Sequence, residues 1–401
     1  MRAQLIALLM LCGTAASAGD KIHLRDSCPP SFDQSADGTC MLVSLYALYQ
    51  ADPGQGGMRV PLPALRNRFT AARADLGRYL FFDPLLSKDH TLSCAHCHHP
   101  AFGFSDGRST SMGVGGFGIG PSRSGGKPLR RAAPTLWNVG FLSKLFWDGR
   151  ATSLQTQAIG PLFSADEMGN NQANLERDLN ANATYRELFS TAFPSTRAKR
   201  ITLREIVDAL AAFETTLISI NSRYDHYAHG DFTALTAQEI QGLNVFRGFA
   251  ARCAQCHIPP LFASSELAVV GAPEVVGSPY DLGAAETRSD SALRGAFKVP
   301  TLRNIACTPP YFQAGQFQSL EEVVDFYNAG RGHAVSEDLN LQIHWNLHMT
   351  KSELSRSDVS AVVAFLGALT DETLTPATPA MVPSGLPVVQ PSPTSPNSCR
   401  G

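Results

Sequence analysis

The sequence is short of charge. Asp, Glu, Lys and Arg make up 17% of its 401 residues, against about 25% in an average globular chain. The two signs nearly cancel, leaving a formal charge of −2. No overall field therefore draws the protein to nucleic acid or to an anionic membrane. The apolar stretch Leu5–Leu11 is far shorter than the ~20 residues that span a bilayer. Nine cysteines in a chain of this length are too sparse for a small disulfide scaffold. No Gly-rich phosphate loop and no basic patch stand out. What is present is an apolar content of 44%, enough to bury real cores and to exclude disorder for the bulk of the chain. The length fits two to three domains of about 150 residues each.

Both ends read as lying outside the fold. Met1–Arg2, the apolar stretch and Ala16-Ser17-Ala18 form the pattern of a signal peptide over residues 1–18, so the chain is expected in the periplasm. Cys12 would leave with it. Residues 19–70 read as an N-terminal extension. Residues 373–401, with seven prolines from Leu374 onward among Ser, Thr and Val, read as a disordered Pro-rich tail.

Four of the cysteines form two copies of one signature, Cys94-Ala95-His96-Cys97-His98 and Cys253-Ala254-Gln255-Cys256-His257. C-x-x-C-H is the attachment pattern for c-type haem. Two thiols bind the vinyl groups and the following histidine ligates the iron. A zinc or redox C-x-x-C is the alternative for either copy alone, but two copies in an exported chain favour haem. The chain also repeats itself beyond these signatures. Pro134-Thr135-Leu136-Trp137-Asn138 returns as Pro300-Thr301-Leu302-Arg303-Asn304, and the register then holds without a gap. Phe146 matches Phe312, Gly149 matches Gly315, and Ser153-Leu154 matches Ser319-Leu320. Ahead of each signature, Leu76-Gly77 to Phe81 echoes Ile240 to Phe246. Each half closes with an apolar helix behind a capping box, Thr202/Glu205 before Ile206–Ile218 and Thr350/Glu353 before Val359–Leu369. The expected fold is mainly α: two tandem class-I cytochrome c-like domains, residues 71–228 and 229–372, each with one covalent haem.

These motifs, together with Leu80-Phe-Phe-Asp-Pro84, Phe146-Trp-Asp-Gly-Arg150, Gly160-Pro161, Asp166-Glu-Met168 and Phe297 to Asn304, resemble the bacterial di-haem cytochrome c peroxidase and MauG family over residues 72–370. The resemblance implies that the N-terminal haem is the peroxide site and that the C-terminal haem transfers electrons or stores charge. It places Gln157, Pro161 and Glu167 on the family's distal glutamine, proline and acid, and Trp147 on the tryptophan between the haems. A buried carboxylate with a raised pKa can move a proton between peroxide oxygens; otherwise Glu167 is an acid at a helix N-terminus. Gln157 could orient peroxide, or be an ordinary helix polar residue.

The repeat register compares the far sides of the two irons. Pro161 lies seven residues after Leu154, and Tyr327 seven after Leu320. Proline cannot ligate iron, whereas tyrosine can, as in MauG; Met349, His333, His344 and His348 are rival ligands, and a core aromatic is the bland alternative. In the glycine-rich loop Ser111–Gly116, Val114 stands where many family peroxidases carry a blocking histidine, and Met112 remains able to visit the iron. His96 and His99 read as shaping the surface beside the first signature. The family often holds Ca²⁺ between its domains through an asparagine and two carbonyls. Thr308 and Pro310 match the carbonyl donors, but Ala132 replaces the asparagine in a site that wants about six to eight oxygens, so calcium is left open. Cys28, Cys40, Cys307 and Cys399 allow two disulfides in three connectivities. Cys28–Cys40 is the local choice, beside the Asp37-Gly38 turn signal, and Cys307 could equally be a buried thiol.

The resemblance implies a MauG-like oxidase that uses H2O2 to oxidise a Trp or Tyr residue on a maturing partner protein. Such partners include a methylamine dehydrogenase precursor or, in methanobactin-operon relatives, a copper-binding protein. The rival enzyme reduces H2O2 to water with electrons from a small cytochrome c or a cupredoxin. A di-haem electron carrier without peroxide chemistry is the rival of another class. A homodimer is common in the family, although no interface signature is visible.

Overall fold

The computed structural model describes residues 22–48, 61–194, 200–330, 332–340, 342–371, 373 and 376–390. The signal segment and Cys399 lie outside these residues. The fold is mainly helical and has two halves, each with its own apolar core. In the first half, helix α1 (Ala71–Phe82) crosses helix α5 (Leu203–Thr215), with α2 (Leu154–Phe163), α3 (Gln172–Ala181) and α4 (Ala183–Ala192) around them. In the second, α6 (Arg223–Ala228) leads to α7 (Ala237–Arg247), which crosses α9 (Arg356–Gly367) beside α8 (Leu320–Ala329). Tyr224 and Ala228 of α6 belong to the second core. The change of core therefore falls before Arg223 rather than at the expected boundary of 228/229.

Caps set the helix starts. The Thr202/Glu205 box opens α5 as expected, satisfying two otherwise orphaned amides. The second box is not Thr350/Glu353. Glu353 sits in a left-handed conformation at φ 55°, and α9 is capped by the Ser355/Asp358 box, its N-cap five residues beyond Thr350. The helix crossings depend on glycine. A Cβ on Gly77 would lie 1.9 Å from the Ala209 carbonyl oxygen, and one on Gly242 would lie 1.9 Å from that of Ala361.

The repeat is conserved in conformation as well as in sequence. Asn138 and Asn304 both adopt left-handed angles, as do Phe146 and Phe312. Thr135 Oγ1 donates to the Gly103 carbonyl and Thr301 Oγ1 to that of Leu261, each at 2.7 Å. The halves meet through a reciprocal pair of backbone bonds. Ala132 N donates to Gln313 O at 2.8 Å, and its register partner Lys298 N donates to Trp147 O at 2.7 Å.

The N-terminal extension forms a hairpin, β1 (Phe32–Gln34) with β2 (Cys40–Leu42). It turns at Gly38, which has φ 80°, and is closed by the Cys28–Cys40 disulfide. With Phe69, Phe141, Ile218 and Leu261 it builds a third core between the halves. Tyr46 donates to Asp225 at 2.6 Å, and Asp225 is locked to the fully buried Arg303. A second antiparallel pair, β3 (Leu267–Val269) with β4 (Ala296–Lys298), borders the second half. Cys307 is buried and disulfide-bonded, which rules out the free-thiol reading.

The tail corrects an expectation. Residues 376–390 are not a solvated strand of chain. Val382 is 2% exposed within the first core, and Val388 and Val389 pack against it. Ser384 Oγ donates to the buried Asp83 at 2.7 Å, and Asn182 Nδ2 to the Pro383 carbonyl at 2.9 Å. Proline lacks an N–H to satisfy, so a Pro-rich segment can lie against a protein surface with few unpaired donors. Composition alone does not reveal this.

Candidate functional site

The first signature opens in a short 3-10 turn, Cys94–His96. It lines a cavity of about 950 Å³. His98 Nδ1 donates to the Phe104 carbonyl at 3.0 Å, which leaves Nε2 as the nitrogen available to a metal. Burial holds His98 below the ordinary histidine range, so the ring is neutral. The second signature repeats the arrangement. His257 Nδ1 lies 3.1 Å from both the Phe262 and Pro300 carbonyls, and burial pushes its pKa down to about 4. None of the four signature cysteines is in a disulfide. Burial pushes Cys97 and Cys253 up to about 12 and Cys256 to about 11, and Cys94 higher still. Burial disfavours the thiolate at each of them. Redox and zinc cysteines need thiolates in electropositive surroundings, so the environment disfavours both alternatives.

Gln157, Pro161 and Glu167 line the same cavity as Cys94, Cys97 and His98. Ser153 caps α2 and fixes the turn that carries Gln157. Pro161 sits inside this helix, where its missing N–H leaves the Gln157 carbonyl without the usual helical partner. The Glu167 carbonyl accepts from Val114 N at 2.9 Å. Its carboxyl is raised above the usual range, first by burial and then by neighbouring Asp166, with Arg150 acting the other way. Trp147 also lines the cavity, and its indole donates to the Ala132 carbonyl at 2.9 Å.

The glycine-rich loop brings Ser111 and Gly113 to the cavity. Val114 packs against the first core. The Met112 sulfur accepts from Arg108 at 3.3 Å, so it is held at the loop rather than offered to His98. His96 Nδ1 accepts from Ser93 N at 3.0 Å, and His99 lies against Val389; both are structural. In the second half, Tyr327 is half-buried on α8. Burial pushes its phenol well up, and the nearby Cys253 and Cys256 of the second signature act in the same direction. Among the rival ligands, His333 donates to the Gly330 carbonyl at 2.6 Å, His344 is exposed and Met349 is buried. Thr308 and Pro310 flank the cis Pro309–Pro310 bond. The Ala132 carbonyl is already taken by Trp147, and no cluster of three or more His, Cys, Asp or Glu occurs among the described residues.

The chain matches the family model of di-haem cytochrome c peroxidases over residues 71–233. It is 35% identical over 307 residues to cytochrome c551 peroxidase of Nitrosomonas europaea, covering 75% of this chain and 81% of that protein. It is also 35% identical over 313 residues to the methylamine utilization protein MauG of Methylorubrum extorquens, covering 78% and 82%. The chain belongs to the di-haem cytochrome c peroxidase and MauG family. Within that family, a solved MauG-like protein associated with microbial copper homeostasis superposes with a TM-score of 0.68 at 31% identity, over 78% of this chain and 94% of that one.

Membership of this di-haem family implies haem cofactors and oxidoreductase chemistry of the peroxidase kind. The residues present fit a haem. Leu136, Leu145, Phe146 and Leu162 give the first cavity apolar walls, Cys94 and Cys97 would supply the two thioether bonds, and the His98 imidazole is oriented by a carbonyl. No helix among the described residues is long and apolar enough to cross a membrane.

Two charged cavity residues were not singled out in the sequence. Glu214 on α5 is 6% exposed, its Oε2 has no hydrogen-bond partner, and burial pushes its pKa up to about 8. Lys298 on β4 is 7% exposed, and burial pushes its pKa down to about 8. The available signal was a lone charge inside an apolar run, Leu210-Ala-Ala-Phe-Glu214 and Ala296-Phe-Lys298-Val.

Proposed function

We propose that the protein is a periplasmic oxidoreductase with two cytochrome c-like units, each carrying one covalent haem, and that hydrogen peroxide is cleaved at the site of Cys94, Cys97 and His98. The observation that carries this reading is that Glu167, Gln157 and Pro161 share one cavity with His98. A bound haem supplies the iron that takes up peroxide and the redox capacity for O–O cleavage. Glu167, its carboxyl raised by burial, accepts the proton from the near peroxide oxygen and delivers it to the leaving one. The Gln157 amide holds the peroxide in line. Pro161 offers no ligand atom, which keeps that face free.

Trp147, anchored at both its indole and its carbonyl, provides an aromatic step between the halves. Tyr327 would hold the iron of the second haem opposite His257, and an anionic phenolate there would favour the oxidised state. A MauG-like role follows, in which electrons are drawn from a Trp or Tyr residue of a maturing partner protein. Val114 in place of a blocking histidine supports activity without prior reduction. The second reading, a scavenging cytochrome c peroxidase fed by a small cytochrome c or cupredoxin, is favoured by the naming of the Nitrosomonas relative.

Stoichiometric H2O2 added to the fully oxidised, haem-loaded protein separates the two. An immediate, long-lived spectral change supports the MauG-like role. Reaction only after one haem has been reduced supports the scavenging peroxidase. Glu167→Gln is expected to slow peroxide consumption by about 10²–10⁴-fold, and retained activity would remove Glu167 from the chemistry. Tyr327→Phe is expected to turn one low-spin ferric haem high-spin in the EPR spectrum; an unchanged spectrum means another ligand.

A further inference from the structure

Five cations line the cavity: Lys127, Arg130, Arg131, Arg150 and Lys298. Four have carboxylates of the chain beside them. Lys127 pairs with Asp166, Arg130 with Glu286, Arg131 with Asp281 and Asp148, and Arg150 with Asp148. Lys298, the most buried of the five, has no ion pair or side-chain hydrogen bond among the described residues. Its backbone is fixed, since its N–H donates to Trp147 O at 2.7 Å and it pairs with Leu267 across the strands. Two residues on, the Pro300 carbonyl accepts from His257 Nδ1. Lys298 lines the cavity together with Trp147, and its charge acts on His257 of the second half. The repeat gives it no counterpart, because its register partner is Ala132. A buried cation left unpaired costs several kcal/mol, so this position calls for an anion that the polypeptide does not supply.

We propose that Lys298 is the counter-charge for a haem propionate, its ammonium pairing with a carboxylate of a bound haem and so raising that haem's reduction potential. The inference rests on haem occupying this family site. Reduction adds an electron to the iron, and a nearby cation favours the added charge, so removing the cation lowers the potential.

The test uses the full chain loaded with haem and a spectroelectrochemical titration that resolves both haems. Lys298→Met is expected to lower one midpoint potential by about tenfold in the reduction equilibrium, ~59 mV for a one-electron couple, and to move the propionate bending band in resonance Raman. Lys298→Arg is expected to restore both readings. Should Lys298→Met not take up haem, Lys298→Gln keeps the side chain polar and serves in its place. Failure of both neutral variants to load haem while the Arg variant loads also supports the counter-charge. Two haems bound with both potentials and the Raman band unchanged in a neutral variant would overturn the proposal, leaving haem binding itself intact. So would an Arg variant that behaves like the neutral ones.

Discussion

Glu214 carries a proton into the wall of the first cavity. Its register partner in the second half is Leu366, an ordinary core residue. The folded carboxyl titrates at about 8 because burial disfavours its charged form. An unfolded glutamate titrates near 4.3. The folded state therefore binds the extra proton between these values, and stability falls as pH rises through that window. Glutamine cannot ionise, so Glu214→Gln is expected to flatten the stability profile between about pH 5 and pH 8. It should also gain a few kcal/mol over the parent at the alkaline end. Denaturation midpoints of the haem-loaded proteins at the two pH values check this; parallel profiles would show that Glu214 does not titrate there. Pro161 and Tyr327 were legible in sequence because a repeat compares like with like. Glu214 and Lys298 were not singled out: neither has a counterpart of its own kind, Glu214 belongs to no spaced motif, and Lys298 sits inside the Phe297–Asn304 motif, where the repeat register draws attention to the residues after it.

Helices α1 and α5 cross as closely as α7 and α9, and at each crossing the limiting atom is a backbone carbonyl oxygen. A side chain can rotate away from an added methyl, but a hydrogen-bonded helix backbone cannot. Gly77→Ala and Gly242→Ala should therefore each cost about 3 kcal/mol, the upper end of the usual overpacking penalty. Chemical denaturation is the measurement, and a loss below 1 kcal/mol at either site would mean that the helices part easily. The echo of Leu76–Phe81 in Ile240–Phe246 had marked these two helices as equivalents. Where α9 begins was harder to read. Thr350 and Glu353 have the right spacing for a box, but a left-handed Glu353 cannot lead into a right-handed helix. The Ser355/Asp358 pair, nearer the apolar run, is the one that caps.

At the scale of the whole molecule, the halves, the hairpin and the central cavity follow from patterns that recur along the chain. The expected boundary missed because α6 is short and its apolar residues Tyr224 and Ala228 face forward, into the second core. The tail was misread for a different reason. Its prolines do keep it out of helices and sheets, yet its spaced valines find an apolar surface on the first half, contributed by residues far away in sequence. Asp83 shows the distance involved. Its carboxylate takes Tyr185 at 2.6 Å and Ser384 at 2.7 Å, and the second of these partners is 301 residues further along. A chain is made from its N-terminus, and early domains generally fold first. Here the first half emerges, with its haem-binding cysteines, long before Val382 exists to fill its place in the core. During synthesis the first half thus spends an interval with that apolar place uncovered, and its last stretch of packing closes only when the rest of the protein has already been made.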